Sequence, residues 1–493
     1  MTSHAFRFRG LPGLLIPTRS TALGSARCVD RCGGAFLHDV VILGGGPGGY
    51  AAALYAHNFG LTVALVSDER PGGTCLIRGC IPAKQWLQIA EVYSTVLHAS
   101  DFGVMTAEPK LDWEAALARK NQTVESLVRG LGGLLKQRKV DVVPGRGRLD
   151  GPRSVVVEGK GGETRIEGKT VIVATGSYAR TIPGYEIDGD RIVTSDHALD
   201  WPVQPGRVAI IGGGVIGCEF ASLLAELGTE VHVIELLPQI IPGGDADSVK
   251  LLEREMTRRG VKFHLGKSVE APRHGPSSIV VSFGGESVEV DVVLVAVGRG
   301  PRTEKIGLET VEGIELERGF IKTDPGTMET GAAGVYAVGD IVAGTPQLAH
   351  VGFAEAIAAI THMATGRAAP VNYSAIPRVT YTHPEFAEVG LTEAQARETG
   401  RDIEVKSHGM AGVGRAIIVG QNRGSVKVVS QKGGAIVGAS VVGPQAGELI
   451  HELMYAVGWE AYPSEAAAFI HAHPTLSEAV GETLMSAAGQ SLH

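Results

Sequence analysis

A chain of 493 residues has room for about three domains. Hydrophobic residues make up 44%, enough for buried cores, and the 68 glycines follow no fixed period, which excludes a collagen-like chain. A net charge of −8 without a Lys/Arg block gives no electrostatic footing for a nucleic acid, and no apolar run of about 18 residues suggests a membrane span.

Residues 1–37 contain Arg7, Arg9, Arg19, Arg27 and Arg31, with Asp30 as their lone acid. That composition resembles a transit peptide, yet Pro12 and Pro17 leave no clear amphipathic helix. The segment reads either as a non-structural extension, a start codon placed too early, or a targeting sequence. Cys28 and Cys32 lie in it and are given no catalytic role.

The ordered chain is expected to begin near His38. Asp39 to Leu43 reads as an apolar strand, Gly44-Gly45-Gly46-Pro47-Gly48-Gly49 as a turn, and an Ala-rich helix follows to about Phe59. Leu61 to Val66 reads as a second strand, completing a βαβ opening. Helices are expected over about 82–97 and 113–139, then short strands between Gly turns over about 140–174. A second βαβ opens at Arg207, with Val208–Ile211, then Gly212-Gly213-Gly214-Val215-Ile216-Gly217, a helix to about Leu227, and Val231–Ile234. Residues 334–341 read as a strand and turn. From Ile376 onward strands alternate with amphipathic helices, as in a separate α+β domain.

The glycines have physical duties. Gly44 and Gly212 permit the sharp turn, Gly46 and Gly214 let backbone approach a pyrophosphate, and Gly49 and Gly217 let helix and strand pack closely. Each helix N-terminus then offers free N–H groups and a positive dipole end to the anion. One such motif is weak evidence; two, each between a strand and a helix, are strong. A ribose-binding acid is expected about 20 residues on. Glu235 meets that in the second copy, and with no Arg in its place it favours NAD over NADP. The first copy departs from the pattern: the matching position is Ser67, followed by Asp68 and Glu69, so either Ser67 or Asp68 takes that ribose.

The stretch Gly72-Gly73-Thr74-Cys75-Leu76-Ile77-Arg78-Gly79-Cys80-Ile81-Pro82-Ala83-Lys84 follows the first βαβ. A helix N-terminus stabilises a thiolate, the species that thiol–disulfide exchange requires. By themselves two cysteines read equally as buried structural residues or half a zinc site. The chain has five cysteines and no second pair at metal spacing, so no metal site is expected.

Taken together, these motifs resemble the pyridine nucleotide-disulfide oxidoreductase family, most of all its dihydrolipoamide dehydrogenases, from about His38 to the C-terminus. Ala174-Thr175-Gly176 resembles the family's second FAD motif. Val335-Tyr336-Ala337-Val338-Gly339-Asp340 resembles the third, and Leu348-Ala349-His350 continues it at the isoalloxazine ring. Ile376-Pro377, Tyr381-Thr382 and Val389-Gly390-Leu391-Thr392 resemble the start of the dimerisation domain. His471-Ala472-His473-Pro474-Thr475-Leu476-Ser477-Glu478 resembles the C-terminal active-site motif.

The resemblance implies an α/β chain with two Rossmann-like units and a C-terminal α+β interface domain. The expected division is 38–187 for FAD, 188–303 for NAD, 304–373 returning to the FAD unit, and 374–493 for dimerisation. It implies a Cys75–Cys80 redox disulfide, with His473 of the partner subunit as acid/base and Glu478 orienting it. FAD contacts are implied for Thr74, Lys84, Gly147, Thr175, Gly176, Asp340 and Ala349, and NAD contacts for Glu219, Val269 and Gly298. Lys84 and Glu219 would pair beside the flavin and nicotinamide; their plainer reading is an ordinary partly buried salt bridge. Arg302 stands where the family usually has Asn, so no role is assigned to it. The implied partners are a second copy and the lipoyl domains of a 2-oxo acid dehydrogenase or glycine cleavage complex. The implied setting is bacterial cytoplasm, or an organelle such as the mitochondrial matrix should 1–37 be a transit peptide. Competing readings are a glutathione reductase-like enzyme, which Glu235 disfavours, and a flavin-bearing redox-sensing subunit without turnover. Mercuric reductase needs a C-terminal Cys pair, and no Cys follows Cys218.

Overall fold

The computed structural model describes residues 38–492. The expectations for 1–37, including Cys28 and Cys32, lie outside the described residues.

Strand β1 (His38–Leu43) runs into helix α1 (Pro47–Ala56), and β2 (Val63–Ser67) returns parallel to β1, Val40 opposite Val63. The Val-Val-Ile-Leu run of β1 is buried, as a central parallel strand covered on both faces must be. The helix ends earlier than the sequence suggests: 57–59 form a 3-10 turn closed by Gly60 at φ +70°. Residues 61–62 are likewise spent on the turn, where Thr62 O accepts the N–H of Asp39 and Val40.

Helices α2 (Cys80–Leu97) and α3 (Trp113–Gln137) follow. Lys139, at φ +57°, lies beyond the end of α3 instead of continuing it. Next come β3 (Asp141–Pro144), β4 (Arg146–Leu149), β5 (Ser154–Gly159) and the long β6 (Gly162–Val173). The two halves of β6 serve different neighbours. Its first half is antiparallel to β5, and from Gly168 onward it is parallel to β1.

The second βαβ unit consists of β7 (Arg207–Ile211), α4 (Val215–Glu226), β8 (Glu230–Glu235), α5 (Ala246–Arg258) and β9 (Lys262–Leu265). Strand β10 (Val292–Val295) pairs with β7, giving the parallel order β9-β8-β7-β10 with a short strand at Ile192–Val193 on the outside. Strand β11 (Val335–Ala337) brings the chain back to β6 and completes a seven-stranded sheet. Helix α6 (Ala349–Thr365) then packs on α1, so closely that a Cβ on Gly352 would sit 3.3 Å from Gly48 N.

The remaining chain forms a five-stranded antiparallel sheet. In chain order its strands are β12 (Arg378–Thr380), β13 (Glu385–Gly390), β14 (Ile403–Gly409), β15 (Ser425–Gln431) and β16 (Ile436–Gly443), and in space the order is β12-β13-β16-β15-β14. Helices α7 (Ala446–Gly458) and α8 (Glu478–Ala487) complete it. Buried Lys427 on β15 ties this sheet to the second βαβ unit, donating at 3.0 Å to both oxygens of Asp245, the cap of α5. The fold is therefore α/β with two dinucleotide-type units and a C-terminal α+β unit.

Candidate active site

Both Gly-rich turns have the geometry that their glycines require. Gly44 adopts φ +117° and a Cβ there would lie 2.2 Å from Ala174 O; Gly212 adopts φ +107°, with Ala296 O at 2.5 Å. A Cβ on Gly49 would fall 1.9 Å from Gly44 O, and one on Gly217 2.0 Å from Gly212 O. The middle glycines are open: Gly214 has nothing within 4 Å of its Cβ position, and Gly46 only Gly73 Cα at 3.9 Å. Gly46 and Gly214 are also the N-caps of α1 and α4, and no side chain caps either helix. First-turn amides are thus left to face a ligand.

Both turns open into one cleft of about 1630 Å³. Its walls include Ser67, Thr74, Cys75, Cys80, Lys84, Gly147, Thr175, Gly176, Asp340 and Ala349. Glu219, Glu235, Val269 and Gly298 line it as well. The packing glycines Gly49 and Gly217 sit behind the walls.

The acids behind the two turns differ. Glu235 is buried, accepting from Gly213 N–H at 2.6 Å and Leu237 N–H at 2.8 Å, so its carboxylate is pre-set at the end of β8. Ser67 ends β2 in the matching place, buried beneath Gly45. Asp68 and Glu69 line the cleft, but Glu69 is engaged by both terminal nitrogens of the Arg78 guanidinium.

Cys75 lies in a π-helical turn (Thr74–Arg78), and Cys80 is the first residue of α2. Both sulfurs line the cleft. The neighbouring Cys80 and burial push the Cys75 thiol up. The neighbouring Cys75 draws the Cys80 thiol down, against burial, and the Lys84 ammonium one helical turn on adds to the effect. Of the two, Cys80 is the sulfur on which a thiolate is favoured. Lys84 Nζ lies 2.8 Å from each oxygen of buried Glu219.

Sequence reasoning missed several residues here. Ser177 Oγ donates to Asp340 Oδ2 at 2.6 Å and accepts from Arg299 Nε at 2.7 Å. Arg302, left without a role, donates through Nε to Ser177 O at 3.0 Å. Glu355, wholly buried on α6, accepts from Gly339 N–H at 2.6 Å and Tyr373 Oη–H at 2.9 Å. None carries a local motif; their partners arrive from more than a dozen residues away.

His473 and Glu478 do not line the cleft. They pair with one another, His473 Nδ1 to Glu478 Oε1 at 2.8 Å, and Glu478 Oε2 accepts from Thr475 N–H at 2.8 Å. These two contacts hold the Glu478 carboxyl below its ordinary range. His473 is exposed, as are Phe469 and Ile470 just before it and Tyr455 and Trp459 on and after α7.

Comparison with known proteins agrees with this geometry. Residues 38–356 match the family profile described as pyridine nucleotide-disulphide oxidoreductase, and residues 376–484 match the dimerisation domain of that family. The chain is similar to the dihydrolipoyl dehydrogenase of Bacillus subtilis, 39% identical over 472 residues, covering 92% of this chain and 99% of the relative. It is 40% identical to that of Chlamydia muridarum, covering 92% and 98%. Among solved structures it resembles LpdA from Mycobacterium tuberculosis, with a TM-score of 0.84 at 28% identity, covering 91% of this chain and 99% of that one. The flavoprotein disulfide reductase RclA of Escherichia coli aligns with a TM-score of 0.82 at 27% identity, covering 91% and 99%. With both profiles matched and these relatives covering nearly the whole chain, the protein belongs to the pyridine nucleotide-disulfide oxidoreductase family.

Proposed function

We propose that the chain is a dihydrolipoamide dehydrogenase, oxidising protein-bound dihydrolipoamide to lipoamide and reducing NAD to NADH. The observation that carries this reading is one cleft lined by two uncapped glycine turns and by both Cys75 and Cys80. The names of the Bacillus and Chlamydia relatives support the substrate.

The first turn, with Thr74, Gly147, Thr175, Gly176, Asp340 and Ala349, would hold FAD. The second, with Glu235, Val269 and Gly298, would hold NAD, the Glu235 carboxylate favouring a free ribose diol over a 2′-phosphate. Lys84 and Glu219 would meet the flavin and the nicotinamide. Bound FAD supplies two-electron acceptance from a dithiol and hydride delivery to NAD.

The chain's own residues account for the sulfur chemistry. His473, oriented by Glu478, removes a proton from one substrate thiol. That thiolate attacks Cys75 of the Cys75–Cys80 disulfide, forming a mixed disulfide and releasing Cys80 as a thiolate. The second substrate sulfur, losing its own proton, displaces Cys75. Lipoamide closes as a ring disulfide, and the chain holds the electron pair as a dithiol. Since His473 is exposed and away from the cleft of its own chain, we infer that it serves the cleft of a second copy. The exposed aromatic and aliphatic residues around it support that dimer, as does the matched dimerisation domain.

We also divide the chain at 188, 304 and 374 into FAD, NAD, returning FAD and interface segments. Lipoyl domains of a 2-oxo acid dehydrogenase or glycine cleavage complex are the partners we infer, and the bacterial relatives support a cytoplasmic setting. No helix among the described residues is long and apolar enough to cross a membrane.

Initial rates with dihydrolipoamide and NAD against glutathione disulfide and NADPH test the proposal. The first pair is expected to win by about a hundredfold or more, roughly 2.8 kcal/mol of transition-state preference; the reverse order would reject it. His473→Gln should lose lipoamide turnover yet still accept electrons from NADH.

A further inference from the structure

Lys84 and Glu219 come from α2 and α4, and one residue of the C-terminal unit touches both. Tyr381 directly follows β12. Its ring centroid lies 4.7 Å from Lys84 Nζ, and its backbone N–H donates to Glu219 Oε1 at 3.0 Å. Two residues on, His383 N–H donates to Ser222 Oγ at 2.8 Å, and His383 Nδ1 lies 2.5 Å from Glu226 Oε1. Glu219, Ser222 and Glu226 share one face of α4 at helical spacing. A three-residue stretch thus clamps the helix and the ion pair together. Tyr381 also lines the cleft, with a part of its surface exposed there.

We propose that Tyr381 is a positioning residue for the redox centre: its ring carries the Lys84 ammonium and its amide carries the Glu219 carboxylate, keeping the cation aimed at Cys80. A lysine is a point charge on a flexible stem, so its effect on a neighbour depends on what confines it. An aromatic face confines it by attraction to the ring quadrupole. The charged neighbours make the need plain. Cys80 faces Cys75, Lys84 and Glu219, Cys75 also faces Asp340, and the Tyr50 phenol of α1 faces both sulfurs. Tyr381 faces Lys84, Glu385, Glu219 and Glu448. Of these only Lys84 is a cation, and Glu219 opposes a thiolate. If Lys84 swings away, Cys80 meets the Glu219 charge without compensation.

The inference rests on the disulfide-relay reading above. Its test is the pH titration of the Cys80 thiolate in the two-electron-reduced holoenzyme, read by thiolate-to-flavin absorption and by the rate of iodoacetamide alkylation. Tyr381→Phe keeps ring and amide and should titrate as the wild type. Tyr381→Leu keeps only the amide, and its midpoint should rise by about half a unit, a roughly threefold loss of thiolate below the midpoint. Should the Leu variant fold poorly, Tyr381→Met supplies an unbranched apolar side chain with the same expected shift. A Leu or Met variant titrating like the wild type overturns the proposal. A wild type showing neither the absorption nor pH-dependent alkylation overturns the relay reading itself, and the proposal with it.

Discussion

The two glycine turns are the same device built twice, and they part company at one residue. Gly44 and Gly212, then Gly49 and Gly217, meet the same backbone carbonyls at nearly the same distances. Behind them Glu235 is locked by two amides, while Ser67 offers one hydroxyl. Each turn is therefore fixed by backbone sterics, which at Gly44, Gly49, Gly212 and Gly217 tolerate nothing but glycine. The ends we propose for the riboses rest on one side chain each, and there the halves diverge.

The largest effects should come from filling the shared backbone contacts. Gly49→Ala and Gly217→Ala each force a Cβ to within about 2 Å of a carbonyl oxygen, costing about 4 kcal/mol or more. Gly49→Ala should yield protein without flavin, whereas Gly217→Ala should keep its yellow colour and lose NADH binding. A colourless Gly217→Ala protein would show that the halves are not separable.

Next comes Glu355, under Gly339 at the first cradle. Burial raises its carboxyl from the ordinary 4.5 to about 7. The folded state thus favours the protonated form. That contribution is complete below the unfolded value and lost as pH rises through about 7; the two values bound it at about 3 kcal/mol. Urea unfolding at pH 5 and pH 8 should show the loss in wild type and a flatter profile in Glu355→Gln; equal slopes would refute it.

Smaller effects separate the ribose ends. Glu235→Ala removes an acceptor for two amides and should weaken NAD about 30-fold, roughly 2 kcal/mol, with FAD untouched. Ser67→Glu copies the second half into the first and should slow FAD loss about fivefold, near 1 kcal/mol. No change in FAD release would mean that Ser67 is not at the ribose.

The cradles and the cysteine turn were legible in the sequence because their physics is local. Strand, glycines and helix N-terminus lie within a dozen residues, and periodicity reports them. Lys84 and Glu219 were found only through resemblance, and meet across 135 residues. Asp340 and the stretch around Tyr381 likewise came through resemblance, whereas Ser177 carried no signal and the contacts that join these residues were hidden. Arg299 reaches Ser177 across 122 residues, and Tyr381 reaches Glu219 across 162. Such contacts exist only after β11 has rejoined β6 and the C-terminal sheet has docked. The dual use of β6 was also hidden, since a 12-residue strand shows no sign of changing neighbours midway. His473 lies at the other limit: its motif was plain, and its partner Glu478 is five residues away.

The cysteine pair is the centre of the account, and reducing Cys80→Ser and Cys75→Ser proteins by two electrons tests it most directly. With the thiolate on Cys80, the serine variant at 80 loses the long-wavelength thiolate-to-flavin absorption and the variant at 75 keeps it. A band retained in Cys80→Ser, or lost only in Cys75→Ser, would contradict the assignment.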